Sequence, residues 1–148
     1  MKSVSMKWWF IGGIIVIGIL FLWSLALQKS DPNVVATNGI HWHPQLHIYV
    51  DGEEQLIPEN VGLIGEHQPM HTHVEDAAKG VLHFEFEGRV KKDDTRLGRF
   101  FDIWGKDIRS FGENIRMTVN GKENTEYEKY IVHEQDVIEL YYEAKKEI

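Results

Sequence analysis

Apolar residues are distributed along this chain in two different patterns. One uninterrupted apolar stretch covers residues 8–27, in which Ser24 is the single polar side chain, whereas from residue 41 onward apolar and polar residues alternate in short segments. A helix of twenty residues is about 30 Å long, which matches the hydrocarbon core of a bilayer. The stretch therefore predicts a transmembrane helix over residues 8–27.

The charges around this stretch predict its orientation. Lys2 and Lys7 precede it, and positive residues tend to stay on the cytoplasmic side of a membrane. We expect a single-pass protein of the cell membrane whose C-terminal domain lies outside the cytoplasm. The predicted segments are a cytoplasmic N-terminus (1–7), a transmembrane signal anchor (8–27), a tether (28–40) and an extracytoplasmic domain (41–148). Cleavage of a signal peptide after Ala26 is the alternative, because residues 24–26 form an acceptable cleavage site.

The alternating part of the chain predicts a small α+β domain. Period-two alternation predicts strands at residues 45–50, 81–87, 115–119 and 137–142, and the turn signal at residues 51–52 predicts a return strand at 54–57. Apolar residues at helical spacing predict one amphipathic helix: Leu97, Phe100, Phe101 and Trp104. This order predicts one helix crossing a small, mostly antiparallel or mixed sheet, compatible with a β-grasp-like arrangement.

The composition narrows the classes of function. The chain has 148 residues and no cysteine, which allows one ordinary domain and excludes disulfide scaffolds, iron–sulfur clusters, thiolate zinc sites and cysteine nucleophiles. All 23 acidic residues lie at or beyond Asp31 and the formal net charge is −7, so nucleic acid is not an expected partner. The usual serine-hydrolase, phosphate-loop and zinc-protease motifs do not occur in the sequence, and a non-enzymatic function is therefore favoured.

Histidine is concentrated in one part of the chain. Seven of the eight histidines lie within residues 41–83, and they include two His-x-His pairs, at 41/43 and 71/73. In an extended chain, residues i and i+2 point the same way with Cα atoms about 6.6 Å apart. Two imidazoles can therefore converge on one ion, each at about 2.0–2.1 Å. The pairs predict a site for a transition metal.

The expected ligands come from three parts of the sequence. They are His41 and His43 before the first long strand, His71 and His73 in the aperiodic segment 59–80, and His83 with Glu85 as further ligands. Imidazole sites suit copper or zinc, and the thioether of Met70 would favour Cu(I). A long loop in a compact domain is usually functional or held by a ligand, and a bound ion would hold the 59–80 segment in place.

A local similarity suggests that two of these histidines are neighbours. Residues 46–52 and 82–88 share Leu, His and Gly at corresponding positions. If both strands belong to one sheet, His47 and His83 lie on the same polar face. Histidines in the middle of such a strand are more often cross-strand hydrogen-bond partners than metal ligands.

Three functions fit these patterns. The favoured one is binding of copper or zinc for sequestration, sensing or delivery. The second is an interaction or assembly module of a membrane complex whose histidines are incidental or respond to pH. The third is a small metalloenzyme with an open coordination position and Glu75 or Glu85 as its base. Histidines too far apart to chelate an ion would favour the second function.

Four segments of the chain resemble a family of small, membrane-tethered, His-rich extracytoplasmic proteins of prokaryotes. They are His-Trp-His-Pro-Gln-Leu-His-Ile-Tyr-Val-Asp-Gly, Ile-Pro-Glu-Asn-Val-Gly-Leu, Met-His-Thr-His and Leu-Gly-Arg-Phe-Phe-Asp-Ile-Trp-Gly. The similarity spans residues 41–142. It implies a prokaryotic source, but the family has no established activity, so the resemblance assigns no role to any residue.

Overall fold

The computed structural model describes residues 6–27 and 31–145 of the chain. Residues 1–5 of the predicted cytoplasmic segment, residues 28–30 of the predicted tether and residues 146–148 lie outside the described residues. The chain divides into two compact units, of which the first ends at Pro32 and the second begins at Asn33.

The first unit contains helix α1 (Met6–Leu27). Its side chains are described for residues 8–24, where all are exposed. Among the residues that the structure describes, no helix is long and apolar enough to span a bilayer. This finding contradicts the transmembrane signal anchor predicted over residues 8–27.

The second unit has an α+β composition. Its strands are β1 (Val34–Ala36), β2 (Ile40–Trp42), β3 (Gln45–Val50), β4 (Glu53–Gln55), β5 (Met70–His71), β6 (His83–Phe86), β7 (Val90–Lys91), β8 (Glu113–Val119), β9 (Lys122–Asn124) and β10 (Val137–Glu143). Its helices are α2 (Val74–Ala77) and α3 (Leu97–Trp104), with 3-10 turns at Lys92–Thr95 and Tyr127–Lys129.

The largest sheet has five strands in the order β4-β3-β10-β8-β9. The neighbours β3 and β10 are parallel, and the other pairs are antiparallel. The first strand of six or more residues, β3, thus lies beside the last strand, β10, which is the central strand of the sheet. Because side chains alternate across a strand, β3 buries Leu46 and Ile48 while β10 buries Ile138 and Leu140.

Helix α3 supplies much of the hydrophobic core. Leu97, Phe100 and Phe101 are buried in the cluster that also contains the inward-facing residues of β3 and β10. The helix ends where Gly105 adopts a φ of 73°, a left-handed conformation that glycine reaches without steric cost. The helical spacing of the aromatic residues therefore reflects the packing of one face of α3 in the hydrophobic core.

A smaller antiparallel sheet, in the order β2-β6-β5, brings together three distant parts of the sequence. Strand β5 and helix α2 both lie inside the segment predicted as a loop over residues 59–80. Buried Thr72 fixes this segment: its hydroxyl donates to the Pro58 carbonyl at 2.8 Å and accepts from the Val61 N–H at 3.0 Å. The hydroxyl of Thr72, between His71 and His73, thus ties the second His-x-His pair to residues 58–61.

Candidate metal centre

The register of the three-stranded sheet places the metal-ligating residue types on one face. Glu85 of β6 lies opposite His41 of β2, and His83 of β6 lies opposite His71 of β5. Residues directly opposite in an antiparallel pair share a face, and so do residues two apart along one strand. His41, His71, His83 and Glu85 are therefore on the same side of the sheet.

The other face of the same sheet packs into the hydrophobic core. Met70 lies opposite Phe84, and both side chains are fully buried. Alternation along β5 thus sends Met70 into the core and His71 to the opposite face. Because its side chain packs in the core, Met70 does not supply the thioether ligand that the sequence suggested.

The second histidine of each His-x-His pair lies in the same cluster as the first. His71 Nε2 and His73 Nε2 are 3.2 Å apart. Ligand atoms in a tetrahedral site with bonds of about 2.0–2.1 Å are separated by about 3.3 Å. The His43 ring lies edge-on to the His83 ring, with centroids 4.7 Å apart. Both His-x-His pairs therefore converge on His83.

Glu85 places a carboxylate oxygen within the cluster. Its Oε1 atom lies 3.2 Å from His41 Nε2, 3.8 Å from His83 Nδ1 and 3.9 Å from His71 Nε2. A carboxylate oxygen between imidazole nitrogens is a suitable arrangement for a divalent cation, whose charge it partly neutralises.

Two overlapping groups of residues can hold a metal ion. The inner group consists of His71, His73, His83 and Glu85, and the outer group consists of His41, His43 and His83. In each group, one ligand atom from every residue lies within 4.8 Å of the others. All six residues singled out in the sequence thus come together, and His83 belongs to both groups.

The hydrogen bonding of His71 leaves one nitrogen directed into the cluster. His71 is fully buried, and its Nδ1 atom lies 3.0 Å from the backbone carbonyl of Gln68. Since a carbonyl only accepts, Nδ1 carries the proton and Nε2 keeps its lone pair. A histidine that ligates a metal usually makes such a bond with its other ring nitrogen.

His83 is buried without hydrogen-bond partners. Only 8% of the residue is exposed, and neither ring nitrogen makes a hydrogen bond within the described chain. The carboxylate of Asp76, on α2, lies 3.4 Å from Nε2. Leaving a buried polar group unpaired costs free energy. A bound ion would give one of the two ring nitrogens of His83 a partner and so reduce that cost.

The buried histidines are in the protonation state that metal binding requires. Burial lowers the pKa of His71 below its ordinary value of 6.5, although the bond to Gln68 opposes this shift. Burial also lowers the pKa of His83, helped by the neighbouring His73 and opposed by Asp76. Both imidazoles are therefore neutral near pH 7, and a neutral imidazole is the form that binds a metal.

Other residues considered in the sequence lie outside the two groups. His47 Nδ1 contacts Glu54 Oε1 at 2.6 Å on the five-stranded sheet. His47 and His83 belong to different sheets, but their segments are neighbours, as the sequence similarity suggested, because Gln45 forms an antiparallel bridge with Val81. Glu75 is exposed on α2 and does not belong to either group.

Two contributors were not recognised in the sequence, and a third, His67, was a weak candidate among the seven clustered histidines. Asp76 approaches His83, the Gln68 carbonyl orients His71, and the His67 ring lies 4.7 Å from the His71 ring. The proximity of His67 in the sequence gave a weak signal. The other two contacts depend on how the 59–80 segment folds back on itself, which no local pattern reveals.

Comparison of the chain with protein-family models, with curated proteins and with solved structures found no match. The resemblance to membrane-tethered prokaryotic proteins therefore stays a prediction, and the geometry of the His-rich face is the basis for assigning a function.

Proposed function

We propose that the protein binds one copper or zinc ion at the inner group and holds it for sequestration or delivery. The observation that carries this proposal is the 3.2 Å separation of His71 Nε2 and His73 Nε2, close to an edge of a tetrahedral metal site. His83 and Glu85 supply a third nitrogen and an oxygen. Four protein ligands fill a tetrahedral site, which is typical of binding without turnover.

The chemistry of the ligands supports copper or zinc. Neutral imidazole is a ligand of intermediate softness that both metals accept, and Cu²⁺ binds such sites more tightly than Zn²⁺ when both are present. Since Met70 packs in the core, the inner group is made of nitrogen and oxygen atoms. Such a set does not select Cu(I), which favours sulfur ligands.

The short distances between the histidines, and the burial of two of them, favour metal binding over a function as an interaction module. Incidental surface histidines are solvated and have no reason to converge. Here His71 is fully buried and His83 nearly so, with unpartnered ring nitrogens on His83. Burying two imidazoles next to each other destabilises the metal-free fold, and an ion that binds the folded state compensates for it.

Elemental analysis of the full-length chain tests the proposal. The protein is purified without a histidine tag, stripped with a chelator, and titrated separately with Cu²⁺ and Zn²⁺ against a competing chelator. We expect one tightly bound ion per chain, and loss of tight binding in His73→Gln, whose half-buried side chain can be exchanged with little effect on folding.

The matched control is His133→Gln, which removes an exposed histidine that belongs to neither group. It should bind like the wild type. A wild-type chain that takes up no copper or zinc, or a His73→Gln variant with unchanged affinity, would overturn the proposal.

A further inference from the structure

The inner and outer groups differ sharply in their access to solvent. In the inner group, His71 is fully buried and His83 is 8% exposed, whereas His73 and Glu85 are partly exposed. In the outer group, His41 and His43 are both exposed, and 64% of the His41 side chain is accessible. His41 and His43 are therefore the most accessible members of the two groups, and an ion arriving from solution can bind them without first reaching the buried His71.

The two groups are joined through short contacts. His83 is a member of both, and Glu85 Oε1 of the inner group lies 3.2 Å from His41 Nε2 of the outer group. An ion at the outer group is thus already bound to one inner ligand and adjacent to another. It can change its position by exchanging His41 and His43 for the remaining inner ligands while keeping His83.

The shared histidine also argues against two ions bound at the same time. A neutral imidazole has a single nitrogen lone pair, because its other ring nitrogen carries a proton. His83 can bind a second ion only if it also loses that proton. Two divalent cations separated by one imidazole would in addition repel each other strongly in a partly buried site.

We propose that His41 and His43 form the entry side of the metal centre. An incoming ion binds first to His41, His43 and His83, and then passes to the inner group without leaving His83. This inference rests on the proposed function, since it requires that the inner group is the resting position of the ion. It assigns the outer pair a role in the rate of loading and release.

Loading kinetics test the role of the outer pair. The full-length chain and the double variant His41→Gln plus His43→Gln are mixed with Zn²⁺ held by a coloured chelating indicator, and transfer is followed by stopped flow. Removal of Zn²⁺ from the loaded protein by excess chelator is measured as well. The double variant alters only exposed side chains, so it should fold like the wild type.

The expected result is a parallel decrease of both rates. Ligands that bind the ion only while it moves between solvent and the inner group lower the free-energy barrier between these two states. They therefore increase the rates of loading and of removal by the same factor. Their loss should slow loading and removal by at least about tenfold, while stoichiometry stays at one ion and the dissociation constant changes little. The control His47→Gln plus His133→Gln removes two histidines outside both groups and should keep wild-type rates.

Three other results of these measurements would overturn the inference. Two ions per wild-type chain and one in the double variant would overturn the inference, because the outer group would then be an independent site. Weaker equilibrium binding with unchanged loading would also overturn it, since His41 and His43 would be permanent ligands. Unchanged rates and affinity would overturn it too. If the wild type binds no metal, the proposed function itself fails, which is distinguishable from all of these.

Discussion

His71 and His83 lie directly opposite each other on β5 and β6, and their rings are nearly parallel, with an interplanar angle of 15° and centroids 5.6 Å apart. The antiparallel backbone ladder fixes this relationship. Side chains positioned by paired strands need little rearrangement to bind a ligand. The inner group is therefore largely preorganised by the sheet.

Glu85→Gln tests the contribution of the carboxylate at the centre of the cluster. Its Oε1 atom contacts ring nitrogens of His41, His71 and His83. The amide is neutral and a poorer ligand, so we expect the affinity for Zn²⁺ to fall by at least about 100-fold, more than is usual for residues that only support a ligand. Competition titration measures the change.

Glu87→Gln is the matched control, because Glu87 lies two residues further along the chain and is exposed. It belongs to neither metal-binding group and should bind Zn²⁺ like the wild type. If Glu85→Gln and Glu87→Gln weaken Zn²⁺ binding equally, the loss of affinity would come from the change in net charge and not from a ligand at Glu85.

Asp76→Asn tests whether the carboxylate of Asp76, which is outside the inner group, makes His83 a stronger metal ligand. The Asp76 carboxylate lies 3.4 Å from His83 Nε2 and also pairs with Lys79 at 3.1 Å. A carboxylate beside a ligating histidine makes it a stronger ligand, and its loss typically weakens binding by about 10–100-fold without changing stoichiometry. Glu75→Gln changes the neighbouring exposed carboxylate of α2 and should have no effect. An Asp76→Asn variant with wild-type affinity would contradict this prediction.

Much of the second unit follows from local patterns in the sequence. The alternation of Leu46 and Ile48 indicated β3, and the spacing of the aromatic residues indicated α3, because each pattern reflects burial of one face. The two His-x-His pairs indicated convergence on one ion, since strand geometry alone directs residues i and i+2 to the same side.

The arrangement between strands was not accessible from such patterns. Strand β5 has two residues, too few to show a period, so its segment read as a loop. The similar segments around His47 and His83 suggested that the two strands are neighbours, and they adjoin at the bridge between Gln45 and Val81. That they belong to different sheets depends on pairing with other, distant strands. The register of the three-stranded sheet β2-β6-β5 directs Met70 to the core and divides the ligands into an inner and an outer group. Neither feature can be recognised from a local sequence pattern.

The lowered pKa values of His71 and His83 predict how the metal-free protein responds to pH. Their ordinary pKa is 6.5, which applies to the unfolded chain, and burial lowers it in the folded protein. Below pH 6.5 the unfolded chain therefore binds more protons than the folded one. The free energy of unfolding should decrease as the pH falls from about 6.5 toward the folded pKa values.

Urea denaturation of the stripped protein between pH 5.5 and 7.5 measures this effect. The His83→Gln variant lacks one of the two titrating groups and should depend less on pH than the wild type. A wild-type protein that becomes more stable as the pH falls through this range would contradict the prediction.

Thr72→Val tests whether the packed loop positions the second His-x-His pair. Thr72 is fully buried between His71 and His73, and its hydroxyl bonds both the Pro58 carbonyl and the Val61 N–H. Valine has nearly the same shape but leaves these two backbone groups unpaired, which costs about 1–3 kcal/mol for each group that stays buried and unsatisfied. We expect a lower free energy of unfolding and weaker Zn²⁺ binding.

Thr95→Val is the matched control, since Thr95 is equally buried but makes one long bond, to the Lys92 carbonyl at 3.4 Å, and does not belong to the metal centre. It should reduce stability less and leave the Zn²⁺ affinity unchanged. The comparison separates a general loss of stability from a specific loss of positioning. If both variants weaken Zn²⁺ binding equally, the loop has no specific role in placing His71 and His73. If Thr72→Val alone weakens it, the hydroxyl of Thr72 holds the pair in its chelating geometry.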